Sequence, residues 1–233
     1  MQSLLTDGNL PPYLLQGMVI VIWLGLVGAV AAGVYRHTPT VSEIPRKIVH
    51  IGAGHVILLA WWLETPTWMG LAASVVFSVV ALLSYRLPIL PGINSVGRPS
   101  LGTFFYAVSV GVLTAVFWPL QQPEFAVLGV LTMTWGDGLA ALVGQAYGRH
   151  PYRLWGSTKS WEGSLTMGLA TFGVCSTILC GVYGLGSITL GIAAIVAIAA
   201  TGLEAFSKLG IDNLTVPLGS AALAFGLIQE WLT

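Results

Sequence analysis

Charge is scarce in this chain. Nine Lys+Arg and nine Asp+Glu among 233 residues make only 8% of the sequence, and 55% is hydrophobic; a soluble domain carries about 25% charged residues. An ordinary soluble fold is excluded on that ground. A formal net charge of zero leaves no electrostatic footprint for nucleic acid. Cysteine is nearly absent too: Cys175 and Cys180 lie five apart inside one apolar run, a spacing that suits neither a disulfide nor a metal knuckle. The phosphate loop G-x-x-x-x-G-K-[ST], a G-x-G-x-x-G after a strand, G-x-S-x-G and H-E-x-x-H are all missing.

Long apolar runs fill the remaining sequence. A helix crosses a bilayer core with about 20 mainly apolar residues, and such runs start near Leu14, Ile48, Trp68, Gly102, Phe125, Trp161, Ser187 and Leu214. The expectation is an all-α, polytopic transmembrane bundle of about eight helices, a single integral-membrane domain over 1–233. Its loops test the count, because cytoplasmic loops are enriched in Lys and Arg. Arg36, Arg46 and Lys47 follow the first span, Arg86 and Arg98 the third, Arg149, Arg153 and Lys159 the fifth, and Lys208 the seventh. All nine bases thus fall on one side, and both termini are expected on the other. The first span lacks the basic leader of a cleavable signal and is expected to stay in the membrane. Trp61, Trp62, Trp68, Trp118, Trp155, Trp161 and Trp231 sit near span ends, as interfacial indoles do.

Function is expected on the basic side, where the loops hold Pro, Gly and polar residues. Asp137, in "TWGDGLAALVGQAYG", falls about ten residues before the end of the fifth span, on the order of 15 Å below the surface. An ionised group at that depth faces a partner or a wet cavity. Gly136 and Gly138 bracket it and are expected either to break the helix or to admit a ligand to the backbone. Glu162, Glu204 and Asp212, with Asn213 beside the last, are the other acids near membrane depth on this side. Mg²⁺ takes one or two carboxylates together with substrate phosphates. Asp137 with Asp212, helped by Glu204 or Glu162, can supply them, and pairing of these acids with nearby lysines and arginines is the alternative. Ser157, Thr158 and Lys159 lie in a loop before the sixth span, an arrangement suited to an anion, and Ser160 is placed to cap that helix. Arg46, Lys47 and His50 share one face of the second span at spacings of three and four. Arg98 and Thr103 stand at the mouth of the fourth. His55 is expected to be a satisfied core histidine.

Taken in order, "RKIVHIGAG", "GTFFY", "WGDGLAALVGQAYGRH", "GSTKSWEGS" and "EAFSKLGIDNLTVPL" resemble the integral-membrane polyprenol kinases. That group holds phytol kinases, dolichol kinases and CTP-dependent diacylglycerol kinases, and length and hydropathy resemble the phytol kinase branch. The resemblance runs from about Arg46 to Pro217. It implies CTP- and Mg²⁺-dependent phosphoryl transfer to an isoprenoid alcohol that enters from the bilayer. It implies Asp137 and Asp212 at the metal and nucleotide, Lys159 with Ser157 and Thr158 on the phosphates, Arg149 as a further cation, and Glu162 and Asn213 completing the pocket. His50 or a carboxylate would orient or deprotonate the hydroxyl. Replacing Asp137 by alanine is expected to abolish turnover without unfolding the bundle. "KSWEG" also resembles the K-T-x-E-G of phosphatidate cytidylyltransferases, the runner-up, but their P-G-H-G-G and D-R-x-D motifs are missing after Lys208. An ion- or proton-coupled transporter is the third reading.

Overall fold

The computed structural model describes residues 11–37, 44–87 and 101–232. Among them are nine helices and one small hairpin: α1 (Pro12–His37), α2 (Ile44–Gly54), α3 (Val56–Trp62), α4 (Thr67–Ser84), α5 (Gly102–Phe117), α6 (Pro123–Tyr147), β1 (Pro151–Leu154), β2 (Ser157–Ser160), α7 (Trp161–Tyr183), α8 (Ser187–Ala205) and α9 (Asp212–Trp231). The protein is an all-α membrane bundle. Helices α1, α4, α6, α7 and α8 are long and apolar enough to cross a membrane; α5 is shorter, and α2 and α3 are two short helices separated at His55. A helix begins within four residues of each of the eight expected starts.

The break between α2 and α3 falls at His55. Its Nδ1–H donates to the Ile51 carbonyl at 2.7 Å, while its backbone N–H turns to Gly52 O at 3.3 Å. A side chain that takes the carbonyl four residues back competes with the helical ladder and bends the helix. Its Nε2 accepts from the Trp135 indole at 3.3 Å, so His55 is the satisfied core histidine expected of it.

Helix α6 is the centre of the bundle. Every residue from Glu124 to Thr134 is buried, and such a helix, apolar all round, needs neighbours on all sides. It packs against α7, α9, α5 and the α2–α3 pair, with α8 outside α7 and α9 and α1 on the periphery. Backbones pack closely in lipid where residues are small. A Cβ on Gly129 would run into the Pro217 carbonyl and lie 3.0 Å from Ala221 Cβ on α9. Gly136 lies against Met167 and Thr171 of α7, and Gly138 against Ile51 of α2. Of the two alternatives expected of the glycines beside Asp137, the helix break is not found: α6 runs on through them, and each admits a neighbouring helix.

The segment before α7 also differs from the expected loop. β1 and β2 pair antiparallel, Tyr152 opposite Lys159 and Arg153 opposite Thr158. Trp155 and Gly156 form the turn, at φ +47° and +83°, the sign that two-residue hairpin turns demand because it matches strand twist. Ser157 Oγ donates back to Leu154 O at 2.9 Å. Ser160 then caps α7, accepting from Gly163 N at 3.1 Å, as the sequence led us to expect.

Candidate active site

Helix α2 turns Lys47, His50 and Gly54 toward α6, the i, i+3 and i+7 positions of one stripe. Lys47 is 3% exposed, and its ammonium donates to Asp137 Oδ2 at 2.5 Å and to the Asp137 backbone carbonyl at 3.3 Å. His50 Nε2 stands 3.9 Å from the same Oδ2. Gly54 sits against Thr134 and Tyr106, where a Cβ would come within 2.8 Å of the Tyr106 oxygen. Thr134 Oγ1 donates to Val130 O at 2.7 Å. Its oxygen is then free to accept from the Tyr106 hydroxyl, also at 2.7 Å. The Tyr106 ring covers His50 at a centroid distance of 5.0 Å.

A second cluster lies where the hairpin meets the end of α8. Lys159, carried by β2, donates both to the Glu204 carboxylate and to the Glu204 backbone carbonyl. Asp212 opens α9 and accepts at Oδ1 from Asn213 N at 3.0 Å and from Asn213 Nδ2 at 3.1 Å; Ser207 Oγ nearby donates to the Glu204 carbonyl at 2.9 Å. Pro217 follows four residues after Asn213 and has no N–H to donate to the Asn213 carbonyl. That carbonyl is thus a further oxygen acceptor beside Asp212.

The two clusters feel each other. Asp137, Glu204 and Asp212 interact electrostatically, Lys159 acts on Asp212, and Arg46 adds its charge at Asp137. Three carboxylates therefore face three cations, Lys47, Lys159 and Arg46, near the basic end of the central helices. Balance of this kind is what membrane depth requires of ionised groups.

The remaining expected residues are placed less centrally. Glu162 takes His150 as its partner, Nδ1 to Oε1 at 2.6 Å, on the outer surface and away from Asp137. Ser157 is used by the hairpin turn, Thr158 is exposed on β2, and Arg149 is exposed just past α6. Arg98 lies outside the described residues. Of the three carboxylates expected at a metal, Asp137 and Glu204 are each held by a lysine, the pairing that the sequence left open as the alternative. Among the described residues, no three of His, Cys, Asp or Glu come together closely enough to cage a metal ion. Reading the sequence missed Tyr106, Thr134 and Ser207 as members of the site. The signal for Tyr106 was present in "GTFFY", but only the pairing of α5 with α6 brings it over His50.

A cavity of about 920 Å³ opens at the opposite end of α6, lined by Trp61, Trp62, Trp118, Glu64 and Glu124 among others. Glu124 is thirteen residues from Asp137, roughly 20 Å along the helix, and no lysine or arginine lines this cavity. It does not suit a polyphosphate.

Ionised groups gathered toward one end of a helical bundle, with the buried His50 Nε2 unpartnered among them, define an integral-membrane protein with a polar site. Comparison with known proteins gives the particular family. The chain is 52% identical over 223 residues to a phytol kinase of Synechocystis sp., covering 96% of this chain and 95% of that protein. It is 29% identical over 215 residues to the chloroplastic phytol kinase 1 of Arabidopsis thaliana, covering 79% and 67% of the two. A probable phytol kinase 1 of Oryza sativa subsp. japonica is 29% identical over 206 residues, covering 79% of this chain and 64% of that one. No family model matches, and no solved structure does. The chain belongs to the phytol kinase family.

Proposed function

We propose that the protein transfers the terminal phosphoryl group of CTP to the hydroxyl of phytol or a related isoprenoid alcohol, giving phytyl phosphate and CDP, with the site on the cytoplasmic side of a multi-pass membrane protein. The observation that carries this reading is the Lys47–Asp137–His50 cluster at membrane depth, in a chain so similar to a phytol kinase along nearly its whole length. Phosphoryl transfer asks a protein mainly for positioning and charge neutralisation. Lys159, Lys47 and Arg46 are the bases near enough to take phosphate oxygens, and Arg149 and Arg153 border the approach. The alcohol enters sideways from the bilayer, so its tail needs no aqueous path.

The donor set fits a divalent ion held jointly with phosphates and not one caged by protein. Mg²⁺ accepts one or two carboxylates and completes its shell with phosphate and water. Asp212, partly buried and without a lysine or arginine within 4 Å among the described residues, supplies one, and the Asn213 carbonyl lies next to it. When bound, the ion would offset phosphate charge. Lys159 would hold Glu204 in place and present its remaining N–H to the same phosphates.

The test is incubation of purified protein in detergent with Mg²⁺, CTP or ATP, and a panel of isoprenoid alcohols and lipid phosphates, with both products identified. Phytyl phosphate with CDP is the expected pair. Pyrophosphate released from CTP in the presence of a lipid phosphate would instead assign a nucleotidyl transfer and overturn the proposal.

A further inference from the structure

Among the described residues, four that are not glycine have positive φ, and two of them, Glu64 (φ 53°) and Gln121 (φ 57°), line one cavity. It is the cavity of about 920 Å³ at the end of α6 remote from Asp137. Helices α3 and α5 both end there in the same turn. Thr65 N–H donates to Ala60 O at 2.9 Å and Glu64 N–H to Trp61 O at 3.0 Å, while Gln122 N–H donates to Phe117 O and Gln121 N–H to Trp118 O, both at 3.0 Å. Glycine is the usual residue at the left-handed position of such a turn, because a Cβ is disfavoured there. This chain twice keeps a long polar side chain instead, and both residues belong to the same wall. Strain of this kind persists where a site over-determines it, ligand clamps among them.

The charges of that wall have one sign. Glu124 is 7% exposed, and the Tyr183 hydroxyl donates to its Oε1 at 2.8 Å. Among the described residues, no lysine, arginine or histidine nitrogen lies within 4 Å of the Glu124 or Glu64 carboxylate. The first turn of α6 offers Glu124 roughly half a charge of compensation, and a buried carboxylate needs a full one. Trp61, Trp62 and Trp118 stand around the same space. Trp118 spends its Nε1–H on Thr65 O at 3.0 Å, so its ring and not its donor is left for the cavity. Indole faces attract cations, quaternary ammonium groups above all. A hard metal ion is a poor fit, because Mg²⁺ and Ca²⁺ want a shell of oxygens and much of this wall is indole.

We propose that the cavity binds an organic ammonium ion, with the positive nitrogen held by the Glu124 carboxylate and the indole rings, and with the exposed Glu64 at the rim. The proposal does not depend on the kinase reading, since Glu124 lies roughly 20 Å along α6 from Asp137. A free amine and the amino headgroup of a bilayer lipid share this chemistry.

The experiment titrates the purified protein, in an uncharged maltoside detergent, with choline and with its neutral tert-butyl analogue, in which carbon replaces the ammonium nitrogen. Tryptophan fluorescence and calorimetry read the binding. Choline should saturate with a Kd in the millimolar range or tighter, at least about tenfold more tightly than the neutral analogue. Glu124→Gln keeps an acceptor for Tyr183 and should weaken choline binding about tenfold or more, the loss of a contact to a charged group. Trp62→Ala, at a residue 71% exposed, should weaken it about two- to fivefold. Choline that does not saturate, equal binding of the two probes, or folded variants that bind choline like wild type overturn the proposal. Should Glu124→Gln not fold, Glu64→Gln, at an exposed residue, takes its place. Two bilayers then name the source: nanodiscs of phosphatidylglycerol alone, and of phosphatidylglycerol with phosphatidylcholine. Choline binding that is seen in the first and lost in the second assigns a lipid headgroup, and equal binding in both assigns a free amine.

Discussion

Removing the Lys47 ammonium should destabilise the bundle more than removing Lys47 and the Asp137 charge together. Lys47 is 3% exposed and the Asp137 side chain 22%, with 2.5 Å between their charged atoms. Breaking a buried ion pair from one side costs about 3–5 kcal/mol, because the partner is left charged and unpaired, whereas removing both charges is often close to neutral. The partial exposure of Asp137 places Lys47→Met toward the lower end, about 3 kcal/mol, which for a chain of this size corresponds to a Tm lower by roughly 6–12 °C. Asp137→Asn leaves the ammonium unpaired and should cost a similar amount. The double variant should recover most of the loss. Thermal unfolding of the four proteins in one detergent, followed by circular dichroism, reads all corners of the cycle. Additive single effects, to within about 0.5 kcal/mol, would show that the two residues are not coupled and would refute the reasoning. The same logic revises the expectation that Asp137→Ala removes activity without harming the fold: lost turnover in that variant must be read beside its stability.

Two further predictions concern packing and capping. Gly129→Ala drives a methyl into the Pro217 carbonyl, which is backbone, while Gly138→Ala meets only Ile51 Cδ1 and Cγ1 at 2.9 Å, the end of a side chain that can turn away. The first should cost about 1–3 kcal/mol and the second less than about 1, so a thermal melt that ranks them the other way contradicts the described α6–α9 contact. Ser160→Ala removes the cap that accepts from Gly163 N and should cost about 0.5–2 kcal/mol, measured by the same melt; an unchanged Tm would mean that the cap contributes nothing.

Much of the architecture was legible before any coordinates. Spacing of apolar runs located the starts of the helices, since a helix in lipid must satisfy its own backbone and so must be long. The break at His55 was not legible, because it depends on one imidazole bonding back to Ile51. Nor was the hairpin: four-residue strands leave almost no periodic signal, and Trp155 is not a usual residue for a turn at positive φ. At the site, Asp137, Lys47 and His50 stood out by their chemistry, and Glu162 did too, yet Glu162 turns outward to His150.

Composition alone therefore determined that this chain is a membrane protein, and local order along it determined where the helices run. Which acid meets which base was decided by tertiary structure. Partners such as Lys47 and Asp137 are ninety residues apart, and no local rule links them. They meet because Gly54 and Gly138 let α2 and α6 approach closely enough for one ammonium to reach one carboxylate.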